Sequence, residues 1–351
     1  MNKNIALLTF HFSDHNYGAV LQTYASVTML KKLGYKPYVV NFGKSKMTKD
    51  SRFLIRYIDQ FLNPFNRFRN KYLPLTNYIQ SERELNALNK KFEVFYVGSD
   101  QVWRQEFAQD KLLAYFLNFV DNNKLKISYA ASFGKEHIDY AAETKAEVAK
   151  LIKRFDAVSV REDSGVEICH KEFGVNAVKV LDPTLMLDES DYKMITKNGK
   201  SNSKSKYIAY YELGYSTSVS ERAQEFITNL NLPVNNIYRQ EINLVFRKIT
   251  PYNSISNWLN SIKHAGLVIT NSYHCVIFSI IFKRNFIVLS SEYGGNTRLI
   301  SLLKDLGLSD RIFEKYEKNR VAQLQPIEYK MVYEKLENLR NISYNYLEII
   351  K

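Results

Sequence analysis

Cysteine and histidine are scarce in this sequence, and neither forms a metal or redox motif. The two cysteines, Cys169 and Cys275, lie in separate apolar stretches, and the six histidines form no H-E-x-x-H pattern. A disulfide framework and a zinc motif are therefore not implied. We expect buried, reduced thiols, a cytoplasmic setting and no bound metal.

Glycine-rich phosphate loops and long apolar runs are also missing. The sequence has no G-x-x-x-x-G-K-[ST] loop and no G-x-G-x-x-G turn after a strand, which disfavours the common nucleoside-triphosphate and dinucleotide sites. It has no G-x-S-x-G elbow for a serine hydrolase. No window approaches the roughly 20 apolar residues of a membrane span, and the amino-terminal apolar run is too short for a signal peptide. Any membrane contact should therefore be peripheral.

Positive charge is the main compositional feature of the chain. Its 49 basic and 36 acidic residues give a net charge of +13, while 45% hydrophobic residues indicate a globular protein. This excess suggests an anionic partner, such as nucleic acid, an anionic membrane or a phosphorylated small molecule, although a merely soluble basic surface explains it too. The basic, aromatic segment 44–78 fits either an amphipathic helix over a sheet or a surface near a lipid-linked or anionic substrate.

Apolar runs alternate with helix-spaced segments, which predicts an α/β protein with mostly parallel strands. The polar segment 198–205 is the clearest linker. We therefore divide the chain into an amino-terminal Rossmann-like domain (1–195), a carboxyl-terminal one (206–328) and a last helix (329–351) that could pack back on the first domain. The predicted strands cover residues 5–10, 38–42, 92–98, 126–132, 157–160, 177–181, 207–211, 234–238, 266–270 and 285–289. The main predicted helices cover residues 19–33, 140–153, 219–230, 255–264, 298–306 and 329–349.

The stretch 269–289 places a histidine at the start of a buried helix. Asn271 and Ser272 suit a helix N-cap, His274 falls in the first turn, and the following residues are apolar on all sides. Ligands of open α/β sheets bind at the carboxyl ends of strands, where free N–H groups of a helix favour an anion. The alternative is a capped core helix with one polar residue near its start.

Two more charged side chains follow predicted strands directly. Asp100 comes after strand 92–98, where it is either a site carboxylate or a helix N-cap. Arg161 comes after strand 157–160, where its guanidinium could bind phosphate or carboxylate. The alternative for Arg161 is a salt bridge with Glu162 or Asp163.

Six motifs together resemble the polysaccharide pyruvyl transferase family over about residues 10–311. In chain order they are NYGAVLQTYA, VGSDQVW, YAASFG, VSVREDSG, LDPTLML and TNSYHCVIFSIIF. The resemblance implies two Rossmann-like domains in a GT-B-like arrangement, with the active site in the cleft between them. It also implies a bacterial enzyme that transfers a pyruvyl group from phosphoenolpyruvate to sugars of cell-surface polysaccharides such as capsule or exopolysaccharide. No metal or cofactor is expected, and the enzyme would work in the cytoplasm near the inner membrane face, on a sugar or lipid-linked oligosaccharide.

The resemblance also suggests roles for individual residues. Many family members carry an arginine two residues before the histidine, where this chain has Ser272, and Arg298 on the glycine-rich loop 292–298 is our candidate substitute. Catalytic roles fall to Asp100 and His274, and donor binding to Arg161, Ser272, His274 and Arg298. Substrate binding is assigned to Asn16, Tyr17, Gly18, Gln101 and Asn296.

The residues leave competing functions open. In the mechanism we infer, Asp100 acts as base on the acceptor hydroxyl and His274 as acid or phosphate ligand. A GT-B-type glycosyltransferase that uses a nucleotide sugar would have the same two-domain shape. A non-catalytic basic module that binds nucleic acid or a membrane would explain the charge alone, although no nucleic-acid motif supports it.

Overall fold

A computed structural model describes residues 3–42, 63–197, 206–214, 216–238, 242–244, 247–249, 252–290 and 296–351. The predicted linker 198–205, residues 44–62 of the basic segment and most of the glycine-rich loop 292–298 lie outside these ranges. Within them, two parallel sheets follow one another along the chain.

The first half is built on a parallel sheet with the strand order β2-β1-β3-β4. Two isolated bridges, Ile127 to Ala157 and Ala131 to Val160, connect its last strand to a further parallel pair, β5-β6. Its strands are β1 (Asn4–Leu8), β2 (Lys36–Val39), β3 (Val94–Val97), β4 (Leu125–Ser128), β5 (Ser159–Val160) and β6 (Val178–Lys179). Its helices are α1 (Tyr17–Lys32), α2 (Pro64–Tyr72), α3 (Glu82–Asn86), α4 (Gln105–Ala108), α5 (Leu112–Tyr115), α6 (Ala142–Ile152), α7 (Asp163–Phe173) and α8 (Lys193–Thr196).

The second half holds a five-stranded parallel sheet with the order β13-β12-β11-β7-β8, and a separate antiparallel pair, β9-β10. Its strands are β7 (Ile208–Tyr211), β8 (Val234–Asn236), β9 (Ile242–Leu244), β10 (Arg247–Ile249), β11 (Leu267–Thr270), β12 (Phe286–Leu289) and β13 (Ile312–Phe313). Its helices are α9 (Thr217–Leu230), α10 (Ile255–Lys263), α11 (Tyr273–Ile281), α12 (Asn296–Leu306), α13 (Lys318–Gln323) and α14 (Tyr329–Leu347).

The predicted strands and main helices are present in the predicted order, with ends displaced by a few residues. The first unit shows why. Helix α1 begins at Tyr17, capped by the Asn16 side chain, and ends where Gly34 adopts φ +87°, a conformation that glycine takes without steric cost. Both cysteines are buried and free, as predicted.

The described part of the basic segment packs inward. In α2, Phe65 and Phe68 are buried and so is Arg69, whose guanidinium donates to the Ser13 carbonyl and the Asp14 carboxylate, each at 2.6 Å. Helix α2 therefore fixes the loop between β1 and α1, which supports the amphipathic-helix interpretation for residues 63–72. Among the described residues, no helix combines the length and apolar character needed to cross a bilayer.

Aromatic packing joins the two halves. The fully buried Tyr17 ring stacks on Trp258 at 4.8 Å, and its hydroxyl donates to the carbonyls of Asn253 (2.9 Å) and Tyr238 (3.1 Å). These contacts of Tyr17 hold the amino-terminal end of α1 against the second half. Helix α14 returns to the first half, where Arg340 donates to the Leu185 carbonyl at 2.7 Å. The domain boundaries themselves stay a prediction.

Candidate active site

Residues that follow strands of both halves meet at one place. In the first half these residues follow β3, β5 and β6, and in the second they lie in the first turns of α11 and α12. Carboxyl ends of parallel strands and amino ends of helices share an edge of a sheet. The site is therefore assembled from segments that are far apart in sequence. They contribute Asp100, Arg161, Asp182, His274 and Arg298.

Asp182 lies at the centre of the hydrogen-bond network. This residue is fully buried and caps a short 3₁₀ turn, Pro183–Met186, where its Oδ1 accepts from the backbone N–H (3.0 Å) and hydroxyl (2.6 Å) of Thr184. Its Oδ2 accepts from Ser99 Oγ at 2.8 Å and Arg161 Nη1 at 3.0 Å. His274 Nε2 lies 3.5 Å from the same oxygen. One carboxylate thus links a serine, an arginine and a histidine from three segments.

Arg161 is enclosed by carboxylates. Its side chain is fully buried, and besides Asp182 it contacts Asp100 Oδ1 through Nη2 (3.5 Å) and Glu162 Oε2 through Nε (3.7 Å). Burial alone lowers the pKa of Arg161, but Tyr273 and then the three carboxylates more than reverse this effect and raise it. The predicted pair with Glu162 is present, whereas Asp163 pairs with Lys179 at 2.7 Å. A donor-binding role for Arg161 stays a prediction, because this geometry uses the guanidinium within the protein.

The charges around Asp182 favour its ionised form. Burial alone raises the pKa of this carboxyl, but His274 and then Arg161 lower it well below the ordinary value of 3.8. Two of the three carboxylates in the cluster, Glu162 and Asp182, are completely buried. Glu162 Oε1 accepts from Ser132 Oγ at 2.7 Å, while its Oε2 has no hydrogen bond among the described residues.

The predicted helix start around His274 is confirmed. Ser272 is the N-cap of α11, its Oγ accepting from the Cys275 backbone N–H at 3.5 Å, and every residue of α11 is buried. His274 is the second residue of this helix, and a Cβ added to Gly18 would lie within 2.9 Å of three atoms of its imidazole. The ring therefore lies against the backbone of α1. Two helix amino ends, one from each half, meet at this histidine.

Arg298 brings a second positive charge to the site. It lies in the first turn of α12, and its Cζ is 5.5 Å from the centre of the Tyr273 ring, which Arg161 approaches to 4.9 Å. Arg298 forms no ion pair among the described residues, and its buried Nε has no hydrogen bond there. Loss of hydration, followed by the charge of Arg161, lowers its pKa to about 10. An anion bound here would relieve both effects.

Helix α12 is tied to the first half by a polar cluster. Ser301 Oγ donates to Asp163 Oδ2 at 2.8 Å, and Lys179 Nζ contacts both Asp163 (2.7 Å) and Asp305 (2.8 Å). These contacts hold the helix that carries Arg298 against the amino end of α7.

Asp100 occupies a backbone conformation that is unusual for its residue type. Its φ is +88°, and Ala130, after the neighbouring strand β4, has a φ of +52°. Such residues cost free energy and cluster at functional sites. The N-cap alternative for Asp100 is wrong, because the next helix, α4, begins at Gln105 with Arg104 as its N-cap. Asp100 Oδ1 instead accepts from the Gln101 backbone N–H at 2.8 Å.

The remaining predicted substrate residues have structural contacts of their own. Asn16 caps α1 by accepting from the Gly18 N–H at 3.0 Å. Tyr17 is fully buried between the halves. Gln101 accepts from Arg104 at 2.9 Å and fills the space that a side chain at position 134 would need. Asn296 begins α12. Substrate binding by these residues stays a prediction.

The sequence alone suggested no role for Asp182 or Ser99, and for Glu162 only a salt bridge with Arg161. The signal for Asp182 was present, since an aspartate followed by proline and threonine after a strand is typical of a capped turn. The buried position of Glu162 has no comparable signal. Within the described part of the chain, no group of three or more His, Cys, Asp or Glu side chains is arranged to hold a metal ion.

Comparison with solved structures places the chain among GT-B-like α/β proteins. UDP-N-acetylglucosamine 2-epimerase from Rickettsia bellii is 10% identical, with a TM-score of 0.54 over 100% of this chain and 96% of that chain. UDP-GlcNAc 2-epimerase from Neisseria meningitidis bound to UDP-GlcNAc is 12% identical, with a TM-score of 0.53 over 100% and 99%. At these identities the likeness shows the fold alone. No curated protein sequence matches the chain.

The comparison with family models is more specific. The model described as polysaccharide pyruvyl transferase matches residues 16–293, most of the 351-residue chain. The matched segment begins at the N-cap of α1 and extends past α11, so it contains Asp100, Arg161, Asp182 and His274. By this match, and with the GT-B-like fold beside it, the chain belongs to the polysaccharide pyruvyl transferase family, a family of transferases.

Proposed function

We propose that this protein transfers a pyruvyl group from phosphoenolpyruvate to two hydroxyls of one sugar, forming a ketal during the synthesis of a cell-surface polysaccharide. Family membership supports a transferase that acts in polysaccharide synthesis. The observation that carries the finer proposal is Arg298, an arginine without an ion pair among the described residues, which lies in the first turn of α12 and against the ring of Tyr273 at the amino end of α11.

The anionic donor fits this arrangement. Phosphoenolpyruvate carries a phosphate and a carboxylate, and the amino ends of α11 and α12 supply N–H groups and positive dipole ends. Arg298 supplies a fixed fork of donors. Its lowered pKa reflects lost hydration and repulsion from Arg161, and a bound phosphate would compensate for both. Arg161 serves the donor indirectly, by favouring the ionised form of Asp182 and by contacting the Asp100 carboxylate.

The proposed reaction balances without a cofactor. A proton added to the CH2 carbon of phosphoenolpyruvate makes C2 cation-like, and the first sugar hydroxyl attacks C2 and releases its proton. The bond between C2 and the phosphate oxygen then breaks. The second hydroxyl of the same sugar attacks C2, and its proton leaves with inorganic phosphate. The products are a pyruvyl ketal and phosphate.

Two residues are placed to move these protons. His274 is assigned the acid role, since it stands at the helix end where the phosphate would bind and beside an ionised carboxylate. Asp100 is assigned the base role on the acceptor hydroxyl, because it follows β3 at the same edge. The acceptor is a sugar or lipid-linked oligosaccharide. The enzyme would then work in the cytoplasm, at the inner membrane face.

A glycosyltransferase using a nucleotide sugar is the second candidate, because the GT-B-like neighbours include an epimerase bound to UDP-GlcNAc. Thermal denaturation with phosphoenolpyruvate or UDP separates the two functions. A ligand at about 100 times its dissociation constant adds about 2.7 kcal/mol of stability. We expect phosphoenolpyruvate alone to stabilise the wild type.

The variants locate the effect. Arg298→Gln should lose the stabilisation by phosphoenolpyruvate, whereas Lys304→Ala, an exposed cation in the last turn of the same helix, should keep it. Stabilisation by UDP and not by phosphoenolpyruvate would reject the pyruvyl proposal in favour of the glycosyltransferase.

A further inference from the structure

We propose that Asp182 is a positioning residue whose Oδ2 oxygen holds His274 with its proton on Nε2 and holds Arg161 at the same time. The inference deepens the proposed function and rests on it for the role of His274 as an acid, in which the transferred proton is the one that Nδ1 carries in the doubly protonated ring. It assigns to one carboxylate of the first half the orientation of a histidine of the second half.

The orientation of the Asp182 carboxylate is fixed by its other oxygen. Oδ1 accepts two hydrogen bonds from Thr184, one of them from the backbone N–H at 3.0 Å. This pair directs Oδ2 away from the turn, where Ser99 Oγ (2.8 Å) and Arg161 Nη1 (3.0 Å) bind it from two sides. His274 Nε2 at 3.5 Å is the remaining polar neighbour of this oxygen among the contacts described. The Asp182 Oδ2 oxygen is therefore held in place by contacts that do not involve His274.

The imidazole is fixed from the opposite side as well. Gly18 lies against the ring, including Nδ1, and α11 is buried along its whole length, so the ring has little room on the side of α1. The buried Nε2 makes no hydrogen bond in the described part of the chain, and Asp182 Oδ2 is the carboxylate oxygen within ion-pair distance of it. A separation of 3.5 Å is long for a hydrogen bond, which is common for catalytic pairs before substrate binds.

The surrounding charges do not offer Nε2 a better acceptor. The Tyr273 ring is 5.3 Å from the imidazole, and Arg298 lies against that tyrosine. Arg161 shares Oδ2 with His274, and Asp100 contacts the other end of Arg161. Among the described residues, Asp182 is thus the one carboxylate at ion-pair distance from His274, and it is also one of the three carboxylates that surround Arg161. The test has to separate these two roles.

A matched pair of variants separates them. Asp182→Asn and Asp100→Asn each remove one negative charge next to Arg161, but only the first changes the acceptor for His274. An asparagine can turn its carbonyl oxygen toward Nε2, but it cannot supply a charged acceptor, so the charge-assisted hydrogen bond is lost in either side-chain orientation.

The experiment is nitrogen-15 NMR of the full chain labelled at histidine. Six histidines give six sets of ring signals, and the His274→Gln variant identifies that of residue 274. Spectra at about pH 8.5, well above the ordinary histidine range, report which ring nitrogen carries a proton. Phosphoenolpyruvate is titrated into the same samples by calorimetry.

In the wild type we expect the proton on Nε2, with its proton resonance moved downfield by the carboxylate. In Asp182→Asn this resonance should move upfield or be lost, and phosphoenolpyruvate affinity should fall about tenfold. In Asp100→Asn the ring signals should stay as in the wild type. A proton on Nδ1 in the wild type, or equal changes in the two variants, would overturn the inference.

Two features of the design keep the conclusions separate. A proton on Nδ1 in the wild-type spectrum overturns the inference even if Asp182→Asn does not fold. A wild type that shows the Nε2 proton but binds no phosphoenolpyruvate, while UDP stabilises it, would reject the proposed donor and leave the positioning of His274 intact. A wild type that binds phosphoenolpyruvate with the proton on Nδ1 would support the proposed donor and overturn the positioning of His274 by Asp182.

Discussion

Replacing Gly18 with alanine tests the contact between the two halves at the site. An added Cβ would lie within 2.9 Å of three atoms of the His274 ring. The nearest of these atoms, Nδ1, would be 2.1 Å away. Atoms in contact prefer a separation of about 3.5–4.0 Å, so the ring would have to move by about 1.5 Å. It has little freedom to do so, because α11 is buried on all sides.

The free-energy terms predict a change of sign between two backgrounds. Overpacking of this kind costs about 1–3 kcal/mol, whereas alanine in place of glycine in a helix gains up to about 1 kcal/mol. Gly18→Ala should therefore destabilise the wild type by up to about 2 kcal/mol. In a His274→Ala background the clash disappears and the same substitution should stabilise by up to about 1 kcal/mol.

The assay is thermal or urea denaturation of the four proteins of this double-mutant cycle. A protein with two halves need not unfold in a single step. The comparison therefore uses shifts of the unfolding midpoint under one set of conditions rather than absolute free energies of unfolding. A coupling of about 1–3 kcal/mol between Gly18 and His274 is the expected result. Equal effects of Gly18→Ala in both backgrounds would refute the reasoning, since the clash would then lie elsewhere.

Further outcomes are expected from substitutions at Asp182, Asp100 and Tyr17. The pKa of Asp182 is lowered in the folded protein, so its ionised carboxylate stabilises the fold above about pH 4, and this contribution is lost as the pH falls toward the folded-state value. In denaturant titrations between about pH 5 and 3, the free energy of unfolding of Asp182→Asn should therefore fall less than that of the wild type. Asp100→Gly should be more stable than Asp100→Ala by about 1 kcal/mol in thermal denaturation, because glycine adopts φ +88° without strain, and equal stabilities would contradict this. Tyr17→Phe removes the hydrogen bonds to the Tyr238 and Asn253 carbonyls. In urea denaturation the free energy of unfolding should fall by about 1–3 kcal/mol, while phosphoenolpyruvate affinity should not change. A loss of affinity alone would indicate a substrate role for Tyr17.

The sequence was sufficient to predict the order of the main strands and helices along the chain and the start of α11. Polar caps before an apolar helix are local signals, and Ser272 and His274 lie where those signals put them. Strand ends were less predictable. The strand expected to run to residue 132 ends at Ser128, because Ala130 turns the chain with φ +52°, and alanine gives no sign of such a conformation.

The partners of each site residue were much less predictable. Arg161 was expected to face a ligand because it follows a strand, but its guanidinium is surrounded by Asp100, Glu162 and Asp182. These residues are brought together by sheet order, which a single sequence does not specify. Tyr17 shows the same limit, since its partners at residues 238 and 253 lie in the other half of the chain.

The relation between Ser272 and Arg298 follows from the same topology. Ser272 uses its side chain to cap α11, and an arginine there could not accept a hydrogen bond from the backbone N–H of Cys275. The cation nearby is Arg298, in the first turn of α12. This helix follows the adjacent strand β12, and its arginine lies against the ring of Tyr273, the residue next to the cap. Because neighbouring parallel strands deliver the residues that follow them to one edge, residues 26 positions apart in the sequence meet at the same helix start. The proposed anion site at this edge therefore depends on the order of the strands more than on any single motif.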